Sequence, residues 1–254
     1  PITRNASLIN KMEKKIAIFG DIHANIDALN AVLEDANAEN VTDFLCVGDV
    51  VGYNATPNEC VETIKKIASF TVCGNHDHYC AFDESLDDFH PVAANVIEWT
   101  RRELTSENIE WLKKLPYSIV NKNITLVHST LDMPERWGYV FDSIEAESHL
   151  NYQNTQICFH GHTHVPTIFK KQGHMVEQLP PQDIKIELGK KYFVNTGSVG
   201  QPRDGNPMSS YCIFYPESKQ ICFRRVAYDV SAAQSRIRAA SLPERLAARL
   251  ERGQ

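Results

Sequence analysis

The first half of the chain alternates short apolar runs with amphipathic stretches. Residues 15–19 have the pattern of a buried strand, and apolar side chains recur at helical spacing between residues 26 and 36. A second strand is predicted at 44–47, a helix opening at 56–59 with a capping box and Pro at its first position, and a third strand at 70–73. This alternation predicts βαβ crossovers and parallel strands, whose ligand sites lie beyond the C-terminal strand ends.

The pattern changes after a predicted helical stretch at 91–115. Short apolar runs separated by turn residues then predict a second, more antiparallel sheet. These runs begin at Ile124, Ile157, Thr167, Tyr192, Tyr211 and Ile221. We therefore predict an α/β (α+β) fold, a four-layer αββα sandwich in which two mixed β-sheets pack face to face with flanking helices.

The domain organisation predicted from these patterns is simple. Residues 1–14 are polar and aperiodic, which predicts a flexible N-terminal tail, and residues 15–254 are predicted to form a single domain. Within it, 229–252 is predicted to be a C-terminal helical segment. Its spacing favours two short amphipathic helices packed on the body, with a lid over the substrate or a homodimer surface as the alternatives.

The composition excludes several classes of protein. The chain has 254 residues, of which 43% are hydrophobic, enough to bury a sizeable core. A formal net charge of -6 argues against general nucleic-acid or anionic-membrane binding. Apolar runs stay short of the ~18 residues that span a bilayer. The seven scattered cysteines form no C-x-x-C pair. We expect a cytoplasmic protein with reduced cysteines in its core.

Polar residues whose side chains offer oxygen or nitrogen ligand atoms follow the predicted strands. They occur in the segments Gly20–His23, Gly48–Gly52, Gly74–Asp77 and Gly161–His164, and at His128. Each motif alone is common by chance. Together they supply carboxylate and amide oxygens mixed with imidazoles, which suit Mn, Fe, Zn, Co or Ni. The glycines beside them let the backbone approach the site closely.

In their order these motifs resemble the calcineurin-like metallophosphoesterase superfamily, whose pattern is D-x-H, G-D-x-x-G, G-N-H-[DE], H and G-H-x-H. The resemblance spans roughly residues 15–200. The sequence between Val194 and Gly205 is similar to that of the bacterial and archaeal branch of small phosphodiesterases and diadenosine tetraphosphatase-related proteins.

The resemblance implies two divalent metal ions per chain, with Mn expected first and Fe, Zn, Ni or Co as alternatives. Asp49 would bridge the two ions. A hydroxide shared by both metals would attack phosphorus in line with the leaving group. The implied ligands are Asp21, His23, Asp49 and His164 for the first metal, and Asp49, Asn75, His128 and His162 for the second.

The resemblance also assigns a catalytic residue that is not a metal ligand. His76 would protonate the leaving oxygen or stabilise the transition state, and Asp77 would either orient its imidazole or cap the turn after the strand. Other side chains near these segments are candidates for holding the leaving group or a phosphate, although packing or surface roles suit them equally. These are Tyr53, Trp137, Tyr139 and Arg203.

We expect a metal-dependent phosphoesterase that acts on a small nucleotide-like phosphodiester. A phosphomonoesterase or a dinucleoside polyphosphate hydrolase stays open, because the pocket walls and not the metal core select the ester. A catalytically inactive interaction scaffold is disfavoured because the ligand set and His76 are complete. A single-metal binding module is disfavoured by the bridging position of Asp49.

Overall fold

Two mixed six-stranded sheets form the centre of this computed structural model, which describes residues 13–87 and 89–254. Most of the predicted N-terminal tail lies outside the described residues. Strands and helices are numbered in chain order. In spatial order, sheet A consists of β3 (Ala68–Thr71), β2 (Asp43–Cys46), β1 (Ile16–Phe19), β11 (Ser209–Tyr215), β12 (Gln220–Val226) and β9 (Ile184–Lys185).

Sheet B draws all its strands from the middle of the chain. Its order is β4 (Ser118–Asn121), β5 (Ile124–Val127), β6 (Ile157–His160), β10 (Lys191–Asn195), β7 (Thr167–Gln172) and β8 (Met175–Leu179). In both sheets the central strands that precede the chemical motifs are parallel: β1 with β2, and β5 with β6. The polar loops therefore leave each sheet on one side, at the C-terminal ends of these strands.

The helices cover the outer faces of the sheets. They are α1 (Ile26–Ala38), α2 (Pro57–Ile67), α3 (Asn75–Ala81), α4 (Pro91–Glu103), α5 (Ser106–Leu112), α6 (Ser143–Tyr152), α7 (Val230–Ala239) and α8 (Glu244–Leu250). Leu29 of α1 packs with Phe19 on the outer face of sheet A, and Leu150 of α6 packs with Phe193 on the outer face of sheet B. Among the described helices, none is long and apolar enough to cross a membrane.

Between the sheets lies an apolar core that includes Ile18 and Leu45 from sheet A and Phe159 and Val194 from sheet B. Their alternate neighbours point to the helical layers, as the twofold period of a strand requires. The order helix, sheet, sheet, helix confirms the predicted four-layer αββα sandwich.

The partition of strands between the sheets differs from the prediction. The last strands were expected in the second sheet, but β11 pairs antiparallel with β1, placing Cys212 beside Ile18. β11 is buried along almost its whole length and β1 is buried on both faces, so each needs a partner on both sides. Sheet A is thereby mixed, and its centre pairs the first strand of the described chain with the eleventh.

Two local predictions were also wrong. Thr56 forms no capping box with α2, because its hydroxyl donates to the Ala24 oxygen at 2.6 Å and accepts from the Ile26 amide at 3.1 Å. The helical stretch at 91–115 is two helices, because Leu104 leaves the helical conformation and Thr105 caps the second one.

Candidate metal centre

The predicted metal ligands meet where the parallel strands of the two sheets end. Asp21 and His23 follow β1, and Asp49 follows β2. His128 directly follows β5, and His162 and His164 follow β6. Asn75 begins α3, just after β3. The face-to-face packing of the sheets brings the loops of both edges together.

Several of these ligands have an uncommon backbone conformation. Positive φ angles of 48°, 48° and 51° occur at Asp21, His23 and Asp49, and of 70° and 61° at His162 and His164. This left-handed region costs a residue with a side chain roughly 1–3 kcal/mol when the surrounding fold imposes it. Such a concentration of strained residues marks a site at which side-chain direction is held in place by the fold.

The first ligand group is compact and buried. The ligand atoms of Asp21, His23, Asp49 and His164 all lie within 4.8 Å of one another. His23 Nε2 is 3.0 Å from His164 Nε2 and 3.4 Å from Asp49 Oδ2, and His164 Nε2 is 3.4 Å from Asp21 Oδ1. Bonds of ~2.0–2.2 Å from one cation to N and O ligands hold those ligands at similar separations.

The tautomers of three histidines follow from their hydrogen bonds. Each ring places Nδ1 against a main-chain oxygen, which can only accept, so Nδ1 carries a proton and Nε2 is the nitrogen left to bind a cation. These bonds run from His23 to Val51 (3.1 Å), from His128 to Val47 (2.8 Å) and from His164 to Gln201 (2.6 Å). All three Nε2 atoms then face the carboxylates, as the ligands of a cation would.

A second ligand group adjoins the first. His128 Nε2 lies 3.3 Å from Asp49 Oδ2 and 3.2 Å from Asn75 Oδ1. His162 donates from Nε2 to the Trp137 oxygen at 2.9 Å, which leaves its Nδ1 as the lone-pair nitrogen, and its ring lies 5.0 Å from that of His128. Asp49 faces both groups, at 3.4 Å from His23 and 3.3 Å from His128.

The charges of this buried centre are strongly coupled. Burial and the charge of Asp49 raise the pKa of Asp21 to about 7, although His128 opposes the shift. Burial would raise the pKa of Asp49 as well, but the charge and hydrogen bond of His128 hold it far below the usual range. Asp49 in turn raises the pKa of His128 to about 9 against the effect of burial. Divalent cations among these donors would compensate the buried carboxylates directly, so the residues fit a metal site.

Main-chain groups orient the two carboxylates. Asp21 accepts from the His162 amide at 3.0 Å, and Asp49 Oδ1 accepts from the His76 amide at 2.8 Å. A Cβ at Gly161 would lie 2.2 Å from Asp21 Oδ2, and one at Gly74 would lie 2.1 Å from Asp49 Oδ1. Glycine is required at both positions because the carboxylate occupies the space of a side chain.

His76 stands beside the first ligand group without belonging to it. Its buried ring lies 4.9 Å from that of His23 and 4.3 Å from that of Tyr53, and its Nδ1 has no hydrogen-bond partner within the described chain. Burial lowers the pKa of His76 to about 4, with the charge of Arg203 adding to the effect and that of Asp49 opposing it. The ring is therefore neutral at pH 7.

Asp77 does not orient the His76 ring. Its Oδ1 accepts from the amides of Val50 at 2.8 Å and Val51 at 3.2 Å, and its Oδ2 accepts from the amide of Gly74 at 3.0 Å. These bonds join the loop of Asp49 to the start of α3. Of the two roles expected for Asp77, the geometry matches the bracing of the turn.

The other candidate side chains line the same centre in different ways. Tyr53 lies 4.7 Å from the ring of His23, and the Arg203 guanidinium carbon lies 5.5 Å from the Tyr53 ring centre. Trp137 contributes its main-chain oxygen, which holds His162. Tyr139 is half exposed and stacks on His162 at 4.0 Å.

Apart from Arg203, the sequence analysis assigned no role to the loop after β10, which supports the metal centre through hydrogen bonds. Ser198 Oγ donates to the main-chain oxygen of Asp21 at 2.7 Å, and the Gly200 amide donates to the same oxygen at 2.9 Å. The Gln201 oxygen holds His164 at 2.6 Å. The sequence signal was the segment between Val194 and Gly205, which had entered the resemblance without any assigned contact.

Comparisons with known proteins agree with this geometry. Residues 14–219 match the family model described as the calcineurin-like phosphoesterase superfamily domain. An uncharacterized protein of Methanocaldococcus jannaschii is 39% identical over 243 residues, which cover 94% of this chain and 98% of that protein.

Solved structures share the whole architecture. A metallophosphoesterase from Sphaerobacter thermophilus superposes with a TM-score of 0.87 at 38% identity, over 95% of this chain and 100% of that one. A hypothetical protein from Pyrococcus horikoshii OT3 shares the fold with a TM-score of 0.77 at 20% identity, over 94% and 98% of the two chains. The chain belongs to the calcineurin-like phosphoesterase superfamily.

Proposed function

We propose that the protein is a dinuclear metal-dependent phosphoesterase that hydrolyses a small nucleotide-like phosphodiester. The observation that carries this proposal is the set of three imidazoles, His23, His128 and His164, whose Nδ1 atoms are fixed by main-chain oxygens. Their Nε2 atoms turn toward two buried carboxylates. The Nε2 atoms of His23 and His164 lie 3.0 Å apart, a separation that two ligands of one cation also have.

The two ligand groups would each hold one cation. Asp21, His23, Asp49 and His164 would bind the first, and Asn75, His128 and His162 would share Asp49 to bind the second. We propose manganese first, because oxygen and imidazole donors suit it, and Fe, Zn, Ni or Co accept the same donors. When bound, such a pair activates water and neutralises charge on the phosphoryl oxygens.

The chain's own residues supply the remaining requirements. His76 is neutral because burial lowers its pKa to about 4, so the arrival of an anionic phosphate beside it raises that pKa toward the range of a general acid. Its ring is wedged between His23 and Tyr53, at 4.9 and 4.3 Å. Asp77 keeps the loops of Asp49 and Asn75 in register, which fixes the distance between the ligand groups.

The test combines metal content with hydrolysis. The purified protein is analysed for metals, stripped with a chelator and reloaded with Mn, and each form is assayed with bis(p-nitrophenyl) phosphate and p-nitrophenyl phosphate. We expect two metals per chain and cleavage of the diester that disappears with the metals and returns on reloading. Faster cleavage of the monoester would assign a phosphomonoesterase instead.

A matched pair of variants isolates the bridging carboxylate. Asp49→Asn keeps the size of the side chain but removes the charge that faces both ligand groups, so both metals and the activity should be lost together. Asp83→Asn makes the same change at a fully exposed carboxylate and should alter neither. A metal-loaded wild-type protein that cleaves neither ester would support the inactive scaffold.

A further inference from the structure

A small basic cavity lies beside the candidate metal centre. It has a volume of about 170 Å³, and its walls include Tyr53, Arg203, Arg245 and Arg249. We call it the basic pocket. It is smaller than the ~300–1,000 Å³ of pockets that enclose a drug-sized ligand. Its size suits a single compact group at one end of a larger molecule.

The arginines of the basic pocket differ from other arginines in the last part of the chain. Several of those others form ion pairs that hold the fold together: Arg224 with Asp35, Arg225 with Asp204, Arg236 with Asp27 and Arg238 with Glu244. In the described residues, Arg203, Arg245 and Arg249 form no ion pair with a carboxylate. Their charges therefore stand without an acidic partner from the chain.

The neutral contacts of these arginines leave donors free. Arg203 donates from Nη2 to the Gln201 side chain at 2.9 Å, while its Nε is buried without a partner among the described residues. Arg249 donates from Nε to the main-chain oxygen of Gln254. Burial lowers the pKa of Arg249 to about 10, and the charges of Arg203 and Arg245 contribute to the shift. An anion in the basic pocket would relieve this repulsion.

The position of α8 brings the charges of Arg245 and Arg249 together at the basic pocket. Arg245 and Arg249 are four residues apart on α8 and so share one face of it. Beside that face, Leu246 and Leu250 anchor α8 in an apolar cluster with Val96 of α4. The pocket thus depends on the C-terminal helix, which carries no residue of the metal centre.

Tyr53 connects the basic pocket to the metal centre. Its ring lies 4.3 Å from His76, and the guanidinium carbons of Arg203 and Arg249 lie 5.5 and 5.9 Å from its centre. A group in the basic pocket is therefore a short linker away from a phosphorus atom bound beside His76.

We propose that the basic pocket binds a second phosphate group of the substrate, which makes the substrate a phosphate ester that carries a further phosphate. This inference rests on the proposed phosphoesterase activity. Guanidinium groups bind phosphate through paired, charge-assisted hydrogen bonds, and the three arginines present several such donors. The cavity has room for one phosphate.

The experiment compares two chromogenic esters that differ by one phosphate. The probes are thymidine 5′-(p-nitrophenyl phosphate) and the same diester with an added 3′-phosphate, assayed with the Mn-loaded full-length protein. We expect the added phosphate to raise kcat/KM by about 10- to 100-fold, the effect of hydrogen bonds to a charged group. The gain should appear mainly as a lower KM.

Variants locate the origin of that gain. Arg245→Ala and Arg249→Gln should each reduce the preference by roughly tenfold, and the double variant should abolish it. Arg238→Gln removes an arginine from the neighbouring helix that is already paired with Glu244, so it should keep the full preference. Equal kcat/KM for the two esters in the wild type, or a preference that survives the double variant, overturns the proposal.

A binding measurement separates this proposal from the proposed function. If neither diester is cleaved, titration calorimetry with inorganic tripolyphosphate decides the matter on the same proteins. Binding by wild type and by Arg238→Gln, but not by the Arg245→Ala, Arg249→Gln double variant, would keep the basic pocket and reject the hydrolase. Equal binding by all three would reject the pocket.

Discussion

Replacing Asp77 by Asn tests whether this carboxylate braces the metal loops or acts on His76. The carboxylate accepts three main-chain hydrogen bonds, two at Oδ1 and one at Oδ2. In Asp77→Asn the amide oxygen can keep the bonds from Val50 and Val51, but the NH₂ group then faces the Gly74 N–H, donor against donor. One buried hydrogen bond is lost and two donors are left unpaired.

The size of the effect follows from that geometry. A buried donor without its partner costs about 1–3 kcal/mol, so two such donors should lower the free energy of unfolding by about 2–6 kcal/mol. For a domain of this size, Tm should fall by roughly 2–4 °C for each kcal/mol. The braced loops carry Asp49 and Asn75, so metal affinity should also fall, by about 10- to 100-fold as for other residues that position ligands.

Urea unfolding of the chelator-treated protein measures the first effect, and metal titration measures the second. Asp83→Asn, at a fully exposed carboxylate, is the control and should match wild type in both. The bracing role would be refuted if Asp77→Asn kept wild-type stability and metal affinity while the pH profile of turnover shifted. That result would show that Asp77 acts through the His76 imidazole.

Three further changes have defined outcomes. His76→Ala should keep both metals by elemental analysis while turnover falls by roughly 10²–10⁴, and unchanged turnover would remove His76 from the mechanism. Gly161→Ala should lose metal and stability, since its Cβ would lie 2.2 Å from Asp21 Oδ2, and normal metal content would contradict the close fit. Burial lowers the pKa of His149 to about 3. Between that pH and 6.5, His149 is therefore protonated in the unfolded chain but neutral in the native protein. As pH falls through this range, His149 should lower the free energy of unfolding by about 1.4 kcal/mol per pH unit. His149→Gln should therefore flatten the slope of unfolding free energy against pH. The control His174→Gln, at an exposed position, should leave that slope unchanged.

Much of the metal centre could be predicted because its information is local. Each ligand sits within a few residues of a strand end, and strands such as β1 and β6 are marked by short apolar runs. Parallel pairing then brings the ends of β1 and β2 together, and likewise those of β5 and β6, and the packing of the two sheets joins the two groups. The family match at residues 14–219 confirms the superfamily predicted from those motifs.

What sequence could not supply depends on non-local contacts. The hydroxyl of Thr56 was predicted to cap its own helix, but it hydrogen-bonds instead to the main-chain oxygen of Ala24 and the amide of Ile26. Asp77 follows His76 directly, yet its Oδ1 accepts from amides more than twenty residues earlier in the chain. Arg245 and Arg249 line the basic pocket because of how α8 packs on α4, which no periodic pattern encodes.

The pairing of β1 with β11 determines when the metal centre can form during synthesis. A growing chain that ends before residue 160 already contains Asp21, His23 and Asp49, but lacks His164, the Gln201 oxygen that aims it, and the strand that flanks β1. Contacts between such distant segments form late, because a long loop must close first. Metal loading would therefore follow the synthesis of β11, and a truncated product lacking β11 would have an exposed strand edge beside β1.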